Sequence, residues 1–231
     1  MRRYRFLDAL TTAFVVVLLV SNLLAQKVCR LGPFAVSAAI LLFPVTYIFG
    51  DIFTEIYGYA AARRAIWLGF FGTGLLYVTA AITIALPADP GWPHQQAFNT
   101  VFTFIPRILA ASLIAFWAGE FANSYTMAKL KLLTQGRWLW TRTVGSTVVG
   151  QAVDTTLVIS LTFGGTLPAR TIAAMIATGY LLKVAYEVIM TPLTYLVIRT
   201  LKKAEGADAL DADTDFSPFA TGTYAGPDRS V

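Results

Sequence analysis

Cysteine and histidine are almost missing from this chain: its 231 residues include one of each, Cys29 and His94. One cysteine excludes an internal disulfide and a thiolate metal cluster. One histidine excludes a histidine-based metal centre, and no H-E-x-x-H pair occurs. His94 falls in the loop PADPGWPH, whose three prolines favour an irregular connection, so a Ser–His protease set inside a membrane helix is excluded too. A lone loop histidine is far more often solvated than catalytic. The phosphate cradle G-x-x-x-x-G-K-[ST] is also absent. Its nearest imitation, Gly145 to Ala152, lacks the lysine and the hydroxyl, which excludes ATP hydrolysis through a P-loop. No cofactor, metal or catalytic set is expected, and the chain reads as a non-enzyme. Charge is scarce, at 13% of residues.

What is present is apolar. Hydrophobic residues make up 56% of the chain, and the mean hydropathy is +0.63. That composition places it among all-α polytopic membrane proteins. With about 20 residues per span, the sequence predicts six helices, over 8–26, 34–56, 65–86, 103–128, 141–163 and 171–199. Strands of a membrane barrel would be shorter and would alternate. Arg2, Arg3 and Arg5 precede the first run as in a signal peptide, but the run is long and no small-residue site closes it. An uncleaved first helix is expected.

Lysine and arginine set the orientation. Thirteen lie on the side of the N-terminus and four on the other, Lys27, Arg30, Arg107 and Arg170, with Lys183 inside a span. Both termini are therefore expected in the cytoplasm. The net charge of +5 reflects this topology and requires no nucleic-acid partner. The basic loop Lys129–Arg142 is expected to touch anionic lipid. Residues 1–203 form the six-helix transmembrane domain. Residues 204–231 are polar, acidic and punctuated by glycine and proline, the composition of a disordered cytoplasmic tail. The residues leave the oligomeric state open, a homo-oligomer included.

Polar side chains recur inside the helices. In FPVTYIFGDIFTEIYGY, Asp51 and Glu55 stand four apart and share a helix face. A carboxylate near the bilayer centre costs roughly 2.5–3.5 kcal/mol on insertion scales, so such residues usually face a bundle interior. A helix end at the headgroups would explain them more simply. Asn22 interrupts the first helix. The fourth carries Arg107, Ser112, Glu120 and Asn123, and the fifth Ser146, Gln151 and Asp154. The sixth carries Lys183 and Glu187 four apart, which reads most plainly as a private ion pair. Ser146 and Gly150 form a small-xxx-small packing notch. Pro44 is placed to kink the second helix. Gly50-Asp51 with Thr54-Glu55 faintly echoes Gly150-Gln151 with Asp154-Thr155, as in an inverted three-plus-three repeat. Carboxylates, carboxamides and aromatics together suit a planar polar heterocycle. A carboxylate can accept from the two adjacent N–H groups of a guanine-like edge, and a ring can stack on it.

The blocks LLFPVTYIFGDIFTEIYGY, GEFANSYTMAKLK, GRWLWTRTVGSTVVGQAVDT and KVAYEVIMTPLTY resemble the bacterial queuosine precursor transporter family, also described as a vitamin-uptake family. The likeness runs over roughly residues 10–203. It implies import of 7-cyano-7-deazaguanine, and of its 7-aminomethyl relative, across the inner membrane for queuosine modification of tRNA. It also implies six helices and a fold similar to the substrate-binding components of energy-coupling-factor vitamin transporters. Polar positions of the family fall on Asp51, Glu55, Glu120, Asn123, Gln151, Asp154, Lys183 and Glu187. With Asn22 and Arg107 these are the expected substrate-binding residues. Two other readings stand beside this one. The first is a membrane substrate-binding subunit served by a separate ATP-driven module. The second is an intramembrane enzyme using Asp51 and Asp154.

Overall fold

Residues 4–24, 27–31, 34–38, 42–103 and 106–220 are described by a computed structural model of the chain. In order, they form α1 (Leu7–Leu24), the strands β1 (Val28–Leu31) and β2 (Phe34–Ser37), α2 (Phe43–Ile52) with a π-helical turn over Phe53–Tyr57, then α3 (Tyr59–Ala85), α4 (Gln95–Phe102), α5 (Pro106–Leu133), α6 (Leu139–Phe163) and α7 (Ala169–Glu205). Among the described residues, five stretches can cross a membrane by length and apolarity: α1, α3, the run from α4 through α5, α6 and α7.

The distribution of side chains is inverted relative to a water-soluble bundle. On α3, Phe71, Leu75, Val78 and Ile82 form a stripe at helical spacing, each more than half exposed. Leu181, Leu182, Ile189 and Leu196 do the same on α7. Inside, every fully buried residue of α6 is polar or glycine. Apolar groups outward and polar groups inward is the arrangement that hydrocarbon solvent favours. The protein is a multi-pass membrane protein.

The most extensive helix pairing is α5 with α6. It is close because two glycines meet there. A Cβ on Gly119 would lie 2.7 Å from that of Asp154, and one on Gly150 would lie 2.7 Å from that of Asn123. Ser146, one turn before Gly150, is fully buried, as the expected packing notch requires. At one end of the bundle the chain gathers its own ends. The main-chain N–H groups of Arg5 and Phe6 donate to the Glu205 carboxylate, and so does the Tyr57 hydroxyl. The start of α1, the end of the π turn and the end of α7 meet there.

Three expectations need correction. The span 34–56 is not one helix. Residues 34–37 pair antiparallel with 28–31, and helix begins only at Phe43. Short β-prone runs on either side of Gly32-Pro33 are also a hairpin signal, although those two residues lie outside the described ones. Pro44 does not kink the helix. It falls in the first turn of α2, where a missing N–H has no partner to lose. The tail from residue 204 is expected to be disordered, but residues 206–220 pack on the bundle. Asp211 accepts from the Tyr59 N–H at the start of α3 through both oxygens. Arg63 donates to the carbonyls of Asp215 and Ser217, and Trp67 donates to that of Pro218. Acidic residues that look merely solvating in sequence find a helix N-terminus and basic side chains here. Residues 221–231 lie outside the described ones.

Candidate functional site

A cavity of about 240 Å³ opens beside the α5–α6 crossing. The two glycines bring the helices together, and the residues next to them flank the gap: Glu120 and Asn123 from α5, Gln151 and Asp154 from α6. From α2 come Tyr47 and Asp51, and from α7 Lys183 and Glu187. Asn22 of α1, Thr46 of α2, Thr73 and Tyr77 of α3, Ser112 of α5 and Thr147 of α6 add to the polar lining, while Phe116 supplies an aromatic face. Gly50 makes room for Glu120, whose Oε2 comes within 3.1 Å of where a Cβ on Gly50 would be.

The cavity's charge is lopsided. It is lined by four carboxylates, Asp51, Glu120, Asp154 and Glu187, and by one cation, Lys183. Lys183 Nζ donates to Asp154 Oδ2 at 2.5 Å. The pair expected within α7, Lys183 with Glu187, is therefore not the one formed. Lysine reaches across to α6, where the facing carboxylate lies closer than its own helix's. Among the described residues no ion pair reaches Asp51, Glu120 or Glu187. Asp51 and Glu187 are 1% and 2% exposed.

Four atoms of the lining are buried with no hydrogen-bond partner among the described residues: Asp51 Oδ2, Asn123 Oδ1, Gln151 Oε1 and Thr73 Oγ1. The first three only accept, and the Thr73 hydroxyl alone can also donate. The cavity is short of donors, and a buried acceptor without one costs about 1–3 kcal/mol.

Eight of the ten expected residues line this cavity: Asn22, Asp51, Glu120, Asn123, Gln151, Asp154, Lys183 and Glu187. Glu55 and Arg107 do not. Glu55 sits in the π turn, fully buried, where Arg142 donates to it at 3.1 Å from Nε and 2.6 Å from Nη2. Lys202 adds a bond at 2.6 Å, and Lys131 Nζ stands 3.6 Å away. The widened turn also leaves the Glu55 carbonyl to accept from Lys131 at 2.6 Å. Arg107 donates to the carbonyls of Leu161 and Gly164 and so caps the C-terminal end of α6. Tyr47, Thr73, Tyr77, Phe116 and Thr147 also line the cavity and were missed. Three carried a signal, since Tyr47, Phe116 and Thr147 each lie four residues before an expected polar residue.

Comparison with known proteins agrees with this architecture. The profile of a family described as "Putative vitamin uptake transporter" matches residues 37–197. A Bacillus subtilis protein named "Probable queuosine precursor transporter" is 30% identical over 80% of this chain and 81% of its own. The "Queuosine precursor transporter" of Escherichia coli is 25% identical over 67% of each chain. The "Pantothenic acid transporter PanT" of Lactococcus lactis is 29% identical over 85% of this chain and 93% of its own. No solved structure matches.

Proposed function

Because the chain belongs to the family described as "Putative vitamin uptake transporter", we propose that it imports queuosine precursors across the bacterial inner membrane for tRNA modification. The bases are 7-cyano-7-deazaguanine and its 7-aminomethyl relative. The observation that carries this reading is the donor deficit of the cavity. A guanine-like edge brings a ring N–H and an exocyclic amine, and Asp51 Oδ2, Asn123 Oδ1 and Gln151 Oε1 are acceptors without donors among the described residues. Asp51 takes the two adjacent N–H groups, Gln151 and Asn123 read the neighbouring positions, and Phe116 or Tyr47 supplies a ring face. Pantothenic acid is itself a carboxylic acid. Against four carboxylates and one lysine its anion would be repelled, so the relative of that name does not set the substrate here.

Residues 1–203 act as the transport domain, with six crossings and both termini in the cytoplasm. Support comes from the meeting of the α1 start with the α7 end, since an even number of passes returns the chain to one side. On this reading α2 with its π turn is the short crossing.

The test is uptake of labelled 7-cyano-7-deazaguanine by cells that cannot make it, with the wild type and with Asp51→Asn. The amide presents a donor where the base also donates, so affinity should fall roughly ten- to hundredfold, at 1.4 kcal/mol per factor of ten. Uptake by the purified chain in liposomes separates a self-sufficient importer from a subunit that waits for an ATP-driven module. An enzyme using Asp51 and Asp154 would instead release a changed base. Wild-type cells that take up none of the label sink the proposal.

A further inference from the structure

The cavity's charge balance raises a question that base binding alone leaves unanswered. Lys183 neutralises Asp154, and the other three carboxylates lining the same space have no cation among the described residues. They come from three helices, Asp51 from α2, Glu120 from α5 and Glu187 from α7, and Asp51 lies in electrostatic reach of both others. Facing them are Tyr47 on α2, Tyr77 on α3 and the Asp154–Lys183 pair on α6 and α7, while α1 contributes only Leu18 and Asn22. Glu55, one turn along from Asp51, already has Arg142 and Lys202. Three carboxylates that no cation screens repel one another in the bundle interior, and two of them, Asp51 and Glu187, are buried as well. Gln151, which lines this space, is 7% exposed, and its Oε1 has no donor among the described residues. What the site lacks is hydrogen. Among the described residues no three acidic groups converge closely enough to hold a metal ion.

We propose that Asp51, Glu120 and Glu187 form a proton-binding site that couples uptake of the base to an inward proton gradient. The inference rests on the import reading above. The base needs Asp51 ionised, because only the carboxylate accepts from both N–H groups. A proton then sits on the Glu120–Glu187 pair, which stops those anions from opposing the ionised Asp51. Base and proton thus favour each other's binding, and by linkage the effect is reciprocal. The loaded cavity carries less net charge than the empty one and crosses the apolar barrier more readily. At least one proton enters with each base and leaves on the cytoplasmic side.

Purified full-length chain in liposomes tests this with labelled 7-cyano-7-deazaguanine, which is uncharged. Counterflow without any gradient comes first. If there is none, the import reading itself fails. Given counterflow, a more acidic outside should drive accumulation of about tenfold per pH unit for one proton per base. A protonophore should abolish it, and a pH-sensitive dye trapped inside should report acidification when base is added outside. Accumulation that ignores the proton gradient, or that follows a sodium gradient at equal pH, overturns the proposal. Binding to Glu120→Gln and Glu187→Gln supplies a second readout. The dissociation constant of the wild type should fall with acidification, and this slope should flatten in either variant. A slope unchanged in both overturns the assignment to these residues even if uptake is proton-driven.

Discussion

Glu55 and Asp51 show how one helical turn separates two roles. Arg142, Lys202 and Lys131 all converge on Glu55. Removing one partner of a buried ion pair leaves uncompensated charge, at a cost of about 3–5 kcal/mol. Glu55→Gln should therefore lower the thermal unfolding temperature in detergent steeply, while the protein that stays folded binds the base with unchanged affinity. A loss of affinity at unchanged stability would return Glu55 to the binding site. Asp51→Asn should do the reverse. It removes a buried carboxylate that has no cation among the described residues, so stability should hold or rise while binding weakens. Measuring both quantities on both variants gives a crossed result that neither a general folding defect nor a general binding defect reproduces.

At the scale of elements, the α5–α6 crossing and the tail each make a prediction. Gly150→Ala puts a methyl 2.7 Å from Asn123 Cβ, with the Gly119 carbonyl at 3.1 Å. Overpacking of this kind costs about 1–3 kcal/mol, and the helices must part at the point that shapes the cavity. Loss of base binding together with a lower unfolding temperature is expected, and a binding constant within twofold of wild type would contradict it. The tail is held by more than charge. Phe216 packs against Tyr59 and Tyr125, with Lys129 Nζ 3.8 Å from its ring centre. Phe219 packs against Trp67 and Trp117. Gly58 permits the approach, with φ of 85° and Asp211 Oδ1 3.0 Å from where a Cβ would lie. Asp208 sits between Lys131 and Lys202. Burial alone would push its carboxyl up, but the two ammonium groups outweigh that and hold it below the usual carboxylate range. A group whose pKa is depressed by folding contributes stability above its unfolded value, about 3.9, and loses it as pH falls through the folded one. The stability difference between wild type and Asp208→Asn should thus be constant above about pH 5 and shrink below about pH 4. A difference that instead grows on acidification would refute the pairing.

At the scale of the molecule, length and topology are linked. α7 has 37 residues, about 55 Å at 1.5 Å per residue, longer than a hydrocarbon core of about 30 Å. Its last turns carry Lys202, Lys203 and Glu205, which belong beyond the membrane in the charged cluster at the bundle's end. α2 and the π turn have ten and five residues, about 22 Å at about 1.5 Å each, the shortest of the six proposed crossings. A reporter fused to the C-terminus should score cytoplasmic, and a periplasmic score would undo both the proposed orientation and the count of six crossings.

The sequence by itself determined the solvent, most of the helices and most of the cavity lining. Long apolar runs exclude a water-soluble fold whatever the packing, and a polar residue inside such a run has nowhere favourable to go except inward. That is why Asp51, Glu120, Asn123, Gln151, Asp154 and Glu187 could be named without coordinates. Only the tertiary structure decided which polar groups neutralise one another. Lys183 meets Asp154 rather than Glu187 because α7 lies against α6 there: a Cβ on Gly179, one turn before Lys183, would stand 3.3 Å from Thr155 Cγ2. Glu55 is claimed by cations at positions 131, 142 and 202, and Arg107 by carbonyls more than fifty residues away, and no local spacing encodes either contact. The tail folds back for the same reason: its acids and aromatics are solvating or anchoring according to what faces them.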